Sequence, residues 1–255
     1  FLKNNIKVYS IIFENEKNFY IKQLTKTDFH HIKSHWNFRK IFEGLSNQSL
    51  LKKNGFKKFG ERFKGINDLE YMQKNLYSSQ IKNIFKEQYD TVIFLHDFGD
   101  SPHCNRHQVF EDFYEWFFFT VDILKSSNIS FGIKPHPNQV KSSQNFIKKL
   151  MIDFSDLNWI SEDVNNSEIF KSGIKFGLSV YGTVLAELAY HQIIPIACGD
   201  NPASSFDFVF EAKTKDEYVF LIKNYSKLKF RNNLKDQLGE YYYMNYIFKE
   251  HQTIN

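Results

Sequence analysis

Residues 96–103, HDFGDSPH, place two carboxylates and two histidines within eight positions, and His107 follows shortly after. Such a set suits two kinds of chemistry. Asp97 or Asp100 can accept the proton of a hydroxyl while His96 or His103 shares the charge, or the same side chains can hold zinc or manganese. The spacing matches no compact metal-ligand motif, so acid–base work is favoured over a metallohydrolase. A plainer reading also stands, in which Asp100 caps a turn and Asp97 accepts backbone N–H groups.

A second element is Lys134-Pro135-His136-Pro137. The two prolines fix the backbone on both sides of His136. A rigid imidazole beside the Lys134 ammonium suits a nucleotide phosphate or ribose. The third element is Tyr181-Gly182-Thr183, between an apolar run and a helix-like segment. Gly182 allows a ligand to approach the backbone, Thr183 is placed to cap the helix, and first-turn N–H groups favour an anion. Glu187 lies four residues after Thr183, one beyond the capping-box position, which Ala186 occupies. Its carboxylate is therefore expected to face the cleft and take ribose hydroxyls. Thr214 and Glu217 do have capping-box spacing and read as structural.

These groups act together only if the chain gathers them. Strand-like runs at 91–95, 129–134, 157–160, 174–180, 193–198 and 206–210 alternate with helix-like segments such as 109–125 and 143–154. That beat specifies an α/β fold with a Rossmann-like, doubly wound parallel sheet. Ligands of such sheets sit beyond the carboxyl ends of the strands. Polar clusters follow four of the runs, at 96–103, 134–138, 181–183 and 199–202 (GDNP), and are predicted to meet on one rim.

The flanks are less regular. Segments 7–13 and 18–24 read as paired strands, and Asp28 as the cap of a helix carrying Phe29, Ile32, Trp36, Ile41 and Phe42 to about Gly44. His31 and His35, four apart on it, read as solvent-facing or interface histidines rather than ligands. Residues 47–90 look mixed and polar, with a short helix at 59–72 and a loop, and Arg62 and Lys64 on a solvated face. Residues 226–250 read as a helix interrupted by Gly239, its tyrosines packing onto another layer. The expected organisation is a partial N-terminal domain or extension at 1–90, the Rossmann-like domain at 91–225, and a C-terminal helix at 226–255 that packs back across them.

Composition narrows the function classes. At 255 residues and 42% hydrophobic content the chain can bury a substantial core. The net charge of +4, from 33 basic and 29 acidic residues without a strong block, demands neither nucleic acid nor an anionic membrane. Its 28 phenylalanines accompany abundant Lys, Asn and Ile and reflect codon bias, so they carry no functional weight. Two cysteines, Cys104 and Cys198, favour a reducing compartment. No apolar run approaches the ~18 residues of a membrane span, and the first residues lack a signal-peptide layout, so a cytoplasmic protein is expected. The chain begins at Phe1 rather than Met, which leaves a longer parent protein open.

KPHP after one strand, followed about forty residues later by SVYGTVLAELAYHQIIPIACGDNP, resembles the donor domain of bacterial surface-polysaccharide glycosyltransferases. The nearest likeness is to capsule-synthesis Kdo transferases and, more loosely, to HP-motif sialyltransferases, over roughly 91–225. The resemblance implies the GT-B fold, a cytoplasmic enzyme peripheral to the inner membrane or a capsule assembly complex, and two substrates, a nucleotide-sugar donor (a CMP-sugar) and a glycan acceptor. It implies no further cofactor and no metal. Carried over by residue, it puts His136 and Pro137 at the nucleotide and Ser179, Gly182 and Thr183 at its phosphate. Two departures stand out: no full N-terminal Rossmann domain is read in the sequence, and no acidic D/E-D/E-G element of the sialyltransferase kind, so either the chain is a fragment that lacks its base or Asp97 or Asp100 takes that role. A CDP-linked phospho-group transferase and a non-catalytic nucleotide- or glycan-binding module remain alternatives.

Overall fold

The computed structural model describes residues 4–13, 19–25, 34–66, 77, 85–99, 107–137 and 139–248. Near the N-terminus, β1 (Tyr9–Phe13) and β2 (Phe19–Gln23) pair antiparallel, with Ile11 opposite Ile21. After a 3₁₀ turn at Ser34–Asn37 come two helices, α1 (Phe38–Glu43) and α2 (Gln48–Arg62). Asp28, Phe29, His31 and Ile32 of the expected first helix lie outside the described residues.

From Thr91 on, strands and helices alternate: β3 (Thr91–Phe94), α3 (Phe113–Ser126), β4 (Phe131–Lys134), α4 (Lys141–Asp153), α5 (Asn166–Lys171), β5 (Phe176–Ser179), α6 (Val184–Tyr190) and β6 (Ile194–Ala197). The two-residue β7 (Phe210–Glu211), α7 (Lys215–Lys223) and α8 (Leu234–Tyr246) follow. Every residue of β3, β4, β5 and β6 is buried, as a parallel sheet covered on both faces requires. Side chains alternate between two cores. Ile93 and Leu178 meet α3, α4 and α7 through Trp116, Ile147 and Tyr218, whereas Val92 and Phe94 meet α5 and α6 through Ile169 and Leu188. Burying one such Leu, Ile or Phe contributes about 1.5–3 kcal/mol.

All five strands run parallel in the order β4-β3-β5-β6-β7. The chain leaves β3 toward β4 and then returns to β3's other side to lay down β5. That reversal makes β3/β5 the topological switch point, where a crevice opens beyond the strand ends. Among the described residues no helix is long and apolar enough to cross a membrane.

Four expectations need correction. Segment 157–160 forms no strand and touches β4 through a single parallel bridge, Ile133 to Trp159. The run 206–210 joins the sheet only at its end, because Phe206 and Phe208 bury instead against Tyr241. The polar stretch from 47 holds a fifteen-residue helix, α2, that starts eleven residues before the short helix expected from 59 and ends at Arg62; residues 67–72 of that expected segment lie outside the described residues. Its Gly55 looks like a helix breaker, at a cost of about 1 kcal/mol relative to Ala, but it marks a crossing. A Cβ on Gly55 would lie 2.0 Å from the Gly239 carbonyl oxygen, and one on Gly239 would lie 2.1 Å from that of Lys52. Gly239 therefore does not interrupt α8; it lets α2 and α8 touch backbone to backbone. The pair then buries Phe59, Leu238, Tyr241 and Tyr242 against Leu185 and Ala189 of α6.

Candidate functional site

A cavity opens at the switch point, walled by the ends of β3 and β4, the turn after β5 and the start of α6. Its enclosed part is about 70 Å³, against roughly 300–1,000 Å³ for a pocket that swallows a whole organic ligand. A phosphate-sized group fits inside; a nucleoside would extend outward.

The Lys134–Pro137 segment lies on the wall, with Lys134 only 2% exposed. The Lys134 ammonium donates to the Glu162 carbonyl at 2.6 Å, and Gln139 donates to the His136 carbonyl at 2.8 Å. Both contacts stiffen a loop already constrained by its prolines. The His136 ring packs edge-on against His96 at 5.8 Å, and His96 in turn meets Tyr181 at 5.3 Å and Phe113 at 5.2 Å.

The turn after β5 carries Gly182 at φ +130°, a conformation L side chains rarely adopt, while the direction its Cβ would take is open space. The requirement for glycine is thus conformational, not steric. Ser179 Oγ lies 3.0 Å from the Phe94 carbonyl and 3.1 Å from that of Tyr181, so its hydroxyl ties β5 to β3 across the switch point. Thr183 directly precedes the seven-residue α6 but its side chain does not cap it: the residue has helical angles, and its hydroxyl donates to Glu187 Oε1 at 3.2 Å.

Glu187 is at the cavity but not free, contrary to expectation. It is 2% exposed, pairs with Arg62 at 2.9 Å, and accepts from the Tyr77 hydroxyl at 2.5 Å and from Asn166 Nδ2 at 3.3 Å. Donors of this kind replace the hydration that a carboxylate loses on burial. Its principal partner is the residue that sequence reasoning left in solvent: Arg62, 4% exposed, enters from the last turn of α2 and lines the cavity. The signal was the spacing of Gly55, Phe59 and Arg62, which share the buried face of α2. Lys64 is exposed as expected.

Asp97 has a different fate from the catalytic one considered. Its Oδ2 accepts the Val140 amide at 2.8 Å at the start of α4; Oδ1 accepts the Gly99 amide at 2.9 Å and the Ser143 hydroxyl. Burial pushes its carboxyl up, but the Ser143, Val140 and Gly99 hydrogen bonds and the nearby His136 outweigh that and hold it below the usual carboxylate value. With both oxygens committed, Asp97 anchors the β3 loop to α4 and is a poor proton acceptor. Asp100 and His103 lie outside the described residues.

The fourth polar cluster does not reach the cavity. Asp200 accepts from Trp36 Nε1 at 2.7 Å and lies 3.5 Å from the buried His35, so the 199–202 loop fastens the segment before α1. His107 pairs with Glu211 at 2.7 Å at that same outer edge.

The assembly can therefore hold an anion against Arg62, Lys134, His136 and the Gly182 turn, with His96 at the border. The chain matches no protein-family model and no curated protein sequence.

Proposed function

We propose that the cavity binds the phosphate of a nucleotide-sugar donor, a CMP-sugar, and that the protein is a GT-B-type glycosyltransferase acting on a bacterial surface polysaccharide from the cytoplasmic side. The observation that carries this reading is the convergence of Arg62, Lys134 and His136 with a glycine turn at the switch point of a parallel sheet. A departing nucleotide phosphate gains negative charge as the sugar–oxygen bond breaks. Fixed cations at that point favour the transition state more than the ground state. The chain's own cations perform this neutralisation, so the step requires no metal.

With Asp97 committed to α4, Asp100 and His96 are left for deprotonation of the acceptor hydroxyl, and His96 packs against both His136 and Tyr181 beside the cavity. An imidazole ring nitrogen can accept a hydroxyl proton and suits general-base work. The same cavity chemistry would accept a phospho-group carried on CDP, and the mass of the transferred group separates the two donors.

Thermal-shift measurements with CMP, CDP, UDP and GDP test the reading. CMP at a hundred times its dissociation constant stabilises by about 2.7 kcal/mol, and His136→Ala should abolish the shift. No shift with any of the four, or one that survives His136→Ala, would sink the donor site.

A further inference from the structure

We infer that the aromatic cleft between the starts of α3 and α4 is the acceptor subsite and holds one pyranose ring of a glycan. The word acceptor rests on the transferase reading; the cleft as a sugar site does not. The cleft measures about 440 Å³ and is walled by Phe98, Phe113, Tyr114 and Phe146, with Asp112 and Ser142 at its edge. It lies on the same rim as the phosphate cavity, across the β3 loop.

Ring geometry selects the ligand class. Phe98 stands at 72° to Phe113 and at 43° to Phe146, and Tyr114 at 55° to Phe146. None of these three pairs forms a parallel slot for a flat nucleobase, whereas a puckered ring can offer C–H groups to inclined faces. The polar groups agree. Asp112 Oδ1 caps α3 by accepting the Glu115 amide at 2.7 Å, and its other oxygen, with the Ser142 hydroxyl, suits sugar hydroxyls. A carboxylate there also disfavours a phosphate.

Position connects the cleft to the reaction. The His96 ring contacts Phe113 of the cleft and His136 of the cavity, at 5.2 and 5.8 Å. The imidazole thus stands between the cleft and the cavity, packed on one ring of each.

Saturation-transfer NMR on the full chain tests this with maltotriose, N-acetylglucosamine and methyl β-galactoside as probes, with and without CMP. The ring C–H protons of at least one probe should receive saturation from the wild type. Tyr114→Ala, at a residue 46% exposed, and Ser142→Trp, which fills the cleft from an exposed position, should each weaken that signal at least fivefold while leaving CMP signals and melting temperature unchanged. Absence of saturation for every probe on the wild type overturns the inference, as does saturation that survives both variants. Loss of the CMP signal in these variants also overturns it, by placing the base in the cleft. CMP failing to bind while the sugar pattern holds would instead overturn the nucleotide reading and leave the sugar site standing.

Discussion

Two buried carboxylates, Asp97 after β3 and Glu187 in the helix after β5, follow neighbouring strands of the sheet and are satisfied in opposite ways. Asp97 takes neutral donors, two backbone amides and a hydroxyl, all from residues within the β3 loop and the start of α4. Glu187 takes a guanidinium from α2, a helix outside the sheet unit, along with Tyr77 and Asn166. The first arrangement welds a loop to its neighbour. The second sets an Arg62–Glu187 ion pair in the wall of the switch-point cavity and makes its position depend on a distant helix pair. Acidic residues of similar burial thus have different meanings according to who donates to them.

The sharpest way to break this contrast is to remove one member of the charged pair. Arg62→Met or Glu187→Leu alone should cost about 3–5 kcal/mol in urea unfolding, because each leaves an uncompensated buried charge, and the double variant should recover most of the loss. Additive losses would show that the pair is not coupled.

Gly239→Ala attacks the same wall indirectly. Its Cβ collides with the Lys52 carbonyl, so overpacking should destabilise by about 1–3 kcal/mol or more and weaken nucleotide binding as α2 shifts Arg62. Gly182→Ala should cost about 1–3 kcal/mol of backbone strain and at least tenfold in nucleotide affinity, read by calorimetry.

Asp97→Asn should cost about 1–3 kcal/mol yet retain turnover above a tenth of wild type; a hundredfold loss in a folded variant would restore Asp97 as the base. Its pH dependence has a definite sign. The carboxyl is held below its ordinary value of 3.8, so its contribution is complete above about pH 4 and is lost as the pH falls through the folded-state value. The stability gap between wild type and Asp97→Asn should close over that acid range. The smallest effect belongs to Ser179→Ala, about 1 kcal/mol with nucleotide affinity unchanged, since the hydroxyl serves the β3–β5 tie.

Much of the fold was legible in order. The strands expected at 91–95, 129–134, 174–180 and 193–198 form as β3, β4, β5 and β6, each a four-residue run buried throughout, and the Thr214 cap accepts the Glu217 amide at 3.1 Å as its spacing implied. The α2–α8 crossing was not legible, because Gly55 and Gly239 carry a local penalty whose compensation is a contact between helices far apart in the chain. The rim was legible as a list of polar clusters, but not the division among them: Asp200 turned to Trp36, and the 96–103 loop sent Asp97 toward α4.

The chain's local pattern, apolar period against glycine and proline punctuation, was enough to specify alternating strands and helices and the side of the sheet where polar loops gather. Those signals act within a few residues of where they are read. Which of the polar groups face a ligand was decided only on folding, when Tyr77 and Glu187, 110 positions apart, met through a hydrogen bond. A charged group's availability is set by the partners that replace its water, and such partners come from anywhere in the chain.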